Sequence, residues 1–292
     1  MTVLIPAVTG QVASGLARGL RAAGVPIRAL ARDRARAEQA LDGLTGIDLR
    51  VGPLDDPALL ATAFDGVEVA FLSVGTDPRQ TELEQAVIDA AVRAGLGHLI
   101  KLSTIDTAPD APNPVGRWHA EIEAHLTDSG VPHTILRPAY FTTNLLRTAA
   151  PSVAATGRWA GTSPTGRIAM IAPADISAVA TALVLDPGLR GPAYELTGPR
   201  ALTLPEIATT LTGLLGREIA YTPTTPAVMR EAMTARGVPG YYAEVALGID
   251  RSVEAGLHAR ITGTVGELLG RPATDPATVL AEHLGAFTGV AA

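Results

Sequence analysis

Few residues in this sequence can do proton chemistry, and they lie at ends of apolar runs or near the start of a helical stretch. His119 is the first candidate, because an imidazole with an ordinary pKa of about 6.5 exchanges a proton near neutral pH. The alternative for His119 is a partly buried helix histidine bonded to a neighbour. Ser103 and Thr104 end an apolar run, where a hydroxyl either bonds a substrate carbonyl or caps the strand. Tyr140 and Phe141 follow Leu136-Arg-Pro138, where flat rings either stack on a planar ligand or fill a core. Tyr241-Tyr242 after Pro239-Gly240 either closes over a substrate or faces solvent, with core packing the favoured expectation. There is no G-x-S-x-G elbow and no H-E-x-x-H pair. Six histidines are scattered along the chain, and His119 and His125 do not share a helix face, so no metal site is expected.

Composition narrows the chemistry further. The 292 residues contain no cysteine, which excludes disulfides, thiolate catalysis and Cys-based metal sites. Of the 23 Lys and Arg residues, Lys101 is the only lysine, so a phosphate-loop lysine is absent and any Schiff base would have to form there. The net charge of −6 argues against a broad nucleic-acid footprint. Hydrophobic residues make up 47%, enough for a full core. No apolar run reaches the roughly 18–20 residues that a membrane span needs. No basic stretch precedes the first apolar segment, so a signal peptide is not expected, and the expected location is the cytoplasm.

The elements that must position these residues alternate. Apolar runs at Val3–Ile5, Ile27–Ala31, Asp48–Val51, Val67–Val74, His98–Ser103 and His133–Arg137 read as strands. Between them lie helical stretches at Val12–Ala23, Arg34–Gly43, Pro57–Phe64, Thr81–Ala94 and Arg117–Ser129. Strands separated by helices form β-α-β units and a parallel sheet. The expected fold is α/β, a Rossmann-like doubly wound sheet with ligands at the carboxyl ends of its strands. Beyond Pro138 the rhythm changes: a helix or loop at Asn144–Ala155, strands at Arg167–Ile171 and Ala193–Leu196, helices at Asp175–Leu185 and Leu204–Leu215, then mostly helix. The organisation predicted is a dinucleotide-binding core over residues 1–140 and a smaller substrate cap over residues 141–292 that adds later strands to the core.

Such a sheet needs a glycine-rich first turn, so that backbone N–H groups and a helix N-terminus face a pyrophosphate. Here the turn is Val3-Leu-Ile-Pro-Ala-Val-Thr-Gly-Gln-Val-Ala-Ser14. With Leu102-Ser-Thr-Ile105, Arg117-Trp-His-x-x-Ile-Glu123, Thr134-Ile-Leu-Arg-Pro-x-Tyr-Phe-x-x-Asn144, Pro173-Ala-Asp-Ile176 and Leu268-Leu-Gly-Arg-Pro272, the chain resembles the NmrA-like atypical short-chain dehydrogenases. That group includes NAD(P)H-dependent quinone reductases. The resemblance spans nearly the whole chain.

It implies a cofactor site at Thr9, Gly10, Gln11 and Val12, with Ser73, Val74 and Gly75 on the adenosine side, Pro138 at the end of the sixth strand, and Asn144 anchoring the cap. Arg32 ends the second strand, where it suits the 2′-phosphate of NADP, or is a solvated charge among Arg28, Arg34 and Arg36. The usual G-x-x-G-x-x-G is damaged, because Ala7 and Ala13 replace two glycines and Pro53 replaces an acidic residue facing adenine. Together these changes cost roughly 1–3 kcal/mol, or about 5- to 150-fold in affinity. The superfamily's Tyr-x-x-x-Lys pair falls on Val115 and His119, which excludes alcohol–ketone chemistry by that pair. The quinone-reductase relatives likewise manage without it. The leading expectation is an NADPH-dependent reductase of a quinone or similar conjugated carbonyl, with His119, Tyr140 and Ser103 as catalytic candidates. Two other readings stay open: a redox-neutral biosynthetic enzyme with weakened or lost cofactor binding, and a non-enzymatic NAD(P) sensor. The expected partner is a small molecule, with no nucleic acid and no membrane; a homodimer is left open.

Overall fold

A computed structural model describes residues 1–289. Six strands alternating with five helices open the chain. The strands are β1 (Val3–Ile5), β2 (Ile27–Ala31), β3 (Ile47–Val51), β4 (Val69–Leu72), β5 (His98–Leu102) and β6 (His133–Pro138). The helices between them are α1 (Gln11–Ala22), α2 (Arg34–Ala40), α3 (Pro57–Phe64), α4 (Gln80–Ala94) and α5 (Pro114–Asp128). There follow α6 (Leu145–Thr148), α7 (Ala150–Thr156), β7 (Arg158–Gly161), β8 (Arg167–Ile168), α8 (Pro173–Leu185), β9 (Ala193–Leu196), β10 (Leu202–Thr203), α9 (Leu204–Leu215), β11 (Ala220–Pro223), α10 (Pro226–Ala235) and α11 (Gly240–Glu254). Three short helices complete the described chain: Thr264–Leu269, Pro276–Glu282 and Leu284–Thr288. Helix α5 starts earlier than periodicity suggests, because Asn113 Oδ1 accepts from Val115 N at 3.0 Å and Pro114 suits the first turn.

Seven strands form one sheet in the order β3-β2-β1-β4-β5-β6-β9. The paired strands run parallel, with Val3 opposite both Ile27 and Val69. Strand order reverses at β1, so the crevice beyond β1 and β4 is the position where such sheets bind ligands. Strands β1, β4 and β5 are wholly buried, as expected of a sheet covered on both faces.

The chain divides into two compact units whose segments interleave. The first is Met1–Thr104, Trp118–Arg137 and Pro173–Glu195. Its core includes Leu4, Leu30, Phe64, Leu72, Val87, Ile88, Leu99 and Ile122. Helices α1 and α8 pack closely there because two glycines remove the side chains between them. A Cβ on Gly15 would lie 2.4 Å from Ser177 Oγ, and one on Gly19 would lie 2.6 Å from Thr181 Oγ1. Ser177 Oγ also donates to Val12 O at 3.0 Å.

The second unit is Ile105–Arg117, Pro138–Ala172 and the chain from Leu196 onward. Its core gathers Leu145, Val153, Trp159, Met170, Ile207, Leu211, Val253 and Phe287. It carries two small ladders, β8 with β10 antiparallel and β7 with β11 parallel. The strand expected over Arg167–Ile171 forms only Arg167–Ile168, with Ile171 making an isolated bridge to Phe141. Strands β7, β10 and β11 have no counterpart in the sequence reading. Strand β7 alternates exposed and buried residues over only four positions, β11 has none buried, and β10 has two residues, too few for a period to register.

Three outcomes are expected from this architecture. Gly15→Val should lower the urea midpoint, with a loss of about 1–3 kcal/mol from overpacking against Ser177. Ala7 has φ +54°, and it is the one non-glycine residue with positive φ among the described residues. A left-handed alanine costs roughly 1–2 kcal/mol, partly offset by the extra unfolded-state freedom of glycine. Ala7→Gly should therefore raise the urea midpoint by the equivalent of about 0.5–1 kcal/mol.

The third outcome concerns His98, which is buried on β5. Its Nε2 sits 3.0 Å from Thr134 Oγ1, which itself donates to Gly191 O at 2.7 Å. His98 is therefore the donor to Thr134. Burial, then the charges of Arg190 and His133, push its pKa down to about 4. The unfolded chain takes up this proton below about pH 6.5, while the folded chain resists until about 4, so stability falls as pH falls through that window. Urea midpoints measured across it should drop by about 1–3 kcal/mol equivalent, and the slope should shrink in His98→Gln.

Candidate active site

The turn after β1 sets the first wall of the site. Pro6 is buried and Val8 N donates to Leu30 O at 3.1 Å, which carries the chain past the end of β2. Ala7 turns left-handed and its carbonyl accepts from Gly10 N at 3.3 Å. The conformation expected of the missing glycine is thus kept, with alanine in it. Gly10 is the N-cap of α1 and no side chain caps that helix. Thr9, Gly10 and Gln11 are exposed, while Val12 and Ala13 are buried. A Cβ on Gly10 would meet nothing closer than 3.8 Å, so the approach to the helix N-terminus is open. A helix N-terminus with no side-chain cap, its positive end exposed, suits a pyrophosphate, so these residues fit a dinucleotide.

At the end of β2, the two residues that could read a ribose differ in their commitments. Asp33 caps α2, accepting from Arg36 N at 3.0 Å. Arg32 has a side chain 73% exposed and only a distant ion pair, 3.9 Å to Asp77. Its guanidinium fork can receive a phosphate. Pro53, after β3, is exposed, and Asp55 beyond it is bound to Arg79 at 2.6 Å. That arginine holds the Asp55 carboxyl below the usual aspartate range.

At the carboxyl ends of β4 and β5 lies a buried polar quartet. Lys101 and Glu84 are fully buried and form an ion pair at 2.7 Å. Lys101 Nζ also donates to Leu102 O and lies 3.0 Å from His119 Nδ1. Gln80 Nε2 donates to Glu84 Oε1 at 3.1 Å and lies 3.3 Å from His119 Nε2. Val74 N donates to Glu84 Oε1 at 3.3 Å, which ties the quartet to the backbone that follows β4. Ser73 and Val74 are partly buried there and Gly75 is exposed. His119 itself is 6% exposed on α5, bonded within this group.

Ser103 belongs to a second cluster. Its hydroxyl donates to Glu123 Oε1 at 2.5 Å. Arg137 grips the same carboxylate with Nε at 3.1 Å and Nη2 at 2.5 Å. The bond to Glu123 keeps the Arg137 guanidinium firmly protonated. The single hydroxyl hydrogen of Ser103 is therefore spent on Glu123 rather than offered to a carbonyl.

The remaining candidates lie in the second unit. Pro138 is buried and its carbonyl accepts from Ile105 N at 3.0 Å. Tyr140 is partly buried against the core of that unit, and burial holds its phenol above the ordinary tyrosine range. Phe141 is partly buried beside the Ile171 bridge, and its carbonyl accepts from Asn144 N at 3.0 Å. Tyr241 and Tyr242 are exposed at the start of α11, contrary to the packing expected of them. Adjacent on the first turn, they stack on each other with ring centroids 4.2 Å apart.

Sequence reasoning named His119 and Ser103 but not the groups that hold them: Gln80, Glu84, Lys101 and Arg137. One signal was available, a single lysine inside a strongly apolar strand, which demands a buried counter-charge. Among the described residues, no group of three or more His, Asp or Glu could hold a metal ion, and no helix is long and apolar enough to cross a membrane.

Comparison with known proteins agrees with this architecture. The family model described as NmrA-like matches residues 1–254. The chain is 32% identical over 285 residues to an NAD(P)H azoreductase of Xenophilus azovorans, covering 98% of this chain and 99% of that protein. It is 35% identical over 286 residues to the (4-alkanoyl-5-oxo-2,5-dihydrofuran-3-yl)methyl phosphate reductase of Streptomyces griseus, with 98% and 99% covered. Among solved structures, an NADPH-dependent quinone oxidoreductase from Escherichia coli, complexed with NADPH, superposes with a TM-score of 0.87 at 29% identity, over 97% of this chain and 99% of that one. On the match over residues 1–254 and these near full-length similarities, the chain belongs to the NmrA-like family.

Proposed function

We propose that this protein is an NADPH-dependent reductase of a quinone or a similar conjugated carbonyl compound. The observation that carries the reading is the open, uncapped N-terminus of α1 beside an exposed Arg32. It occurs in a chain whose near full-length relatives are named as reductases. An NADPH-complexed quinone oxidoreductase shares its fold at 29% identity. Backbone N–H groups of the Thr9–Val12 turn hold the pyrophosphate, and Arg32 pairs with the 2′-phosphate. Ser73, Val74 and Gly75 would bound the adenosine side, and Pro138, at the end of β6, is the remaining residue assigned to the cofactor. When bound, NADPH supplies a hydride; a proton from solvent or a side chain completes the reduction to hydroquinone and NADP+.

The chain's own part is to bind, orient and supply a hydrogen bond. His119, held by Lys101 and Gln80, is the candidate for the polar role in the reaction, and the Ser103–Glu123–Arg137 cluster braces the strand ends. Tyr140 serves through its ring rather than as an acid, because its phenol is held protonated. No lysine partners a tyrosine on α5, so the reaction is confined to acceptors that take hydride without strong proton assistance. The setting is the cytoplasm.

Calorimetric titration tests the cofactor part directly. Micromolar binding of NADPH, weaker binding of NADH and turnover of a quinone such as menadione are expected. Arg32→Ala should weaken NADPH by about tenfold or more and leave NADH nearly unchanged, since the loss of one charged phosphate contact is worth roughly 1.5–3 kcal/mol. Absence of NADPH binding at millimolar concentration would remove the reductase reading.

A further inference from the structure

Helix α10 keeps its own shape but is hardly held by the rest of the second unit. None of its ten residues is buried. Its ends, by contrast, are closed from within. Thr225 caps the start by accepting from Val228 N at 3.3 Å, and Pro226 suits the first turn. At the far end Gly237 turns left-handed at φ +73°. There Val238 N donates to Met233 O at 3.0 Å and Gly237 N to Thr234 O at 2.9 Å, which closes the last turn. We propose that α10 is a flap that swings as one body on hinges at residues 224–225 and 237–240 and closes over a planar substrate beside Tyr140. The substrate named here rests on the reductase reading; the swing does not.

The hinges are where firm bonding stops. Thr224 N donates to Gly161 O at 2.9 Å, the last bond that ties this stretch to the β7–β11 ladder. On the other side, a Cβ on Gly237 or on Gly240 would meet nothing within 4 Å, so the backbone there can turn without collision. Beyond the second hinge, α11 is fixed from Ala243 onward, with Ala243, Val245, Leu247 and Gly248 buried. Asp250 accepts from Thr162 N at 3.1 Å, and Glu254 accepts from Thr165 N and Gly166 N at 3.0 Å each. A loosely docked, well-capped helix between permissive linkers and a fixed frame moves as a body, because opening it gives up little buried surface. The ion pair of Arg230 with Glu244, both about half exposed, joins α10 to α11 and latches the flap.

The frame connects the flap to the site residues of the second unit. Tyr140 and Ile249 pack against one core, and the charge of Asp250 acts on the Tyr140 phenol. Tyr242 lies eight residues before Asp250, about 12 Å along the same helix. Its ring stacks with that of Tyr241 at the foot of the second hinge. The flap itself carries Met229 and Met233, two of the four methionines of the chain. Both are partly buried. Their unbranched side chains repack readily against flat rings of differing outline. Closure of such an element shields a reaction from water and holds the substrate until it has reacted.

The chain has no cysteine, so introduced cysteines are labelled uniquely. Nitroxides on Glu231→Cys and Thr209→Cys, exposed positions of α10 and α9, measure the flap by pulsed electron double resonance. Without ligands the distances should be broad or two-peaked, and NADP+ with menadione should narrow them to one. Labels on Thr209→Cys and Ala255→Cys, both on the frame, should give one narrow distance throughout. A single narrow Glu231–Thr209 distance that ligands leave unchanged overturns the proposal. The gate is tested by Arg230→Cys with Glu244→Cys, bridged by a short bismaleimide and compared with the same protein capped by N-ethylmaleimide. Bridging should lower kcat/KM for menadione about tenfold or more, while the NADPH Kd is unchanged. Equal turnover in bridged and capped protein overturns the gate. If the free protein shows the spread of distances but calorimetry records no NADPH binding and no quinone is reduced, the swing stands, and closure over substrate falls with the reductase reading.

Discussion

A charge pair sealed away from water, Lys101 with Glu84, is the constraint around which the first unit is arranged. Removing two charges from water costs several kcal/mol per ion before their attraction is counted. The cost is offset by the hydrogen bonds that the two groups make to their neighbours. Those bonds reach outward in every direction. Glu84 must take the Val74 and Gln80 N–H groups, which sets the backbone beyond β4. Lys101 must find the Leu102 carbonyl and the His119 ring, which sets the rotation of α5. Three elements therefore share one register, and the strand ends that face the cofactor position inherit their geometry from it.

The turn after β1 shows a second constraint, resolved differently. Phosphate binding needs the chain to reverse sharply and expose its N–H groups, and a left-handed residue is how this turn does so. Alanine holds that conformation here at φ +54°, without the ease glycine would bring. The site is thus kept in shape at some expense of stability, which distinguishes a weakened motif from a lost one. Gly10 retains the open approach, and Ala13 falls on the buried side of α1, where a methyl is accommodated.

Much of the fold was legible because its signals are redundant. Strands β1, β2 and β9, and helices α3 and α9, begin and end where their residues change character. Parallel strands covered on both faces read as unbroken apolar runs, and turns after them carry glycine or proline. The short ladders of the second unit were not legible, since β11 is largely exposed and contains Pro223. The site was legible by residue type more than by partnership. His119 and Ser103 stand out in the sequence, but hydrogen bonds linking α4, β5 and α5 leave no local period. Only the isolation of Lys101 among apolar neighbours hinted at Glu84, which lies on the same helix face as Leu83, Val87 and Ile88.

The burial of Lys101 has a further meaning for a protein that handles electrophiles. Quinones and related conjugated carbonyls are arylating agents, and thiolates and free amines are the side chains they add to. This chain has no cysteine, and its sole lysine ammonium is both ion-paired and shut off from solvent. Its other cationic side chains are arginines, whose guanidinium groups stay protonated and are poor nucleophiles. Lysine and cysteine side chains therefore offer such compounds no exposed nucleophile.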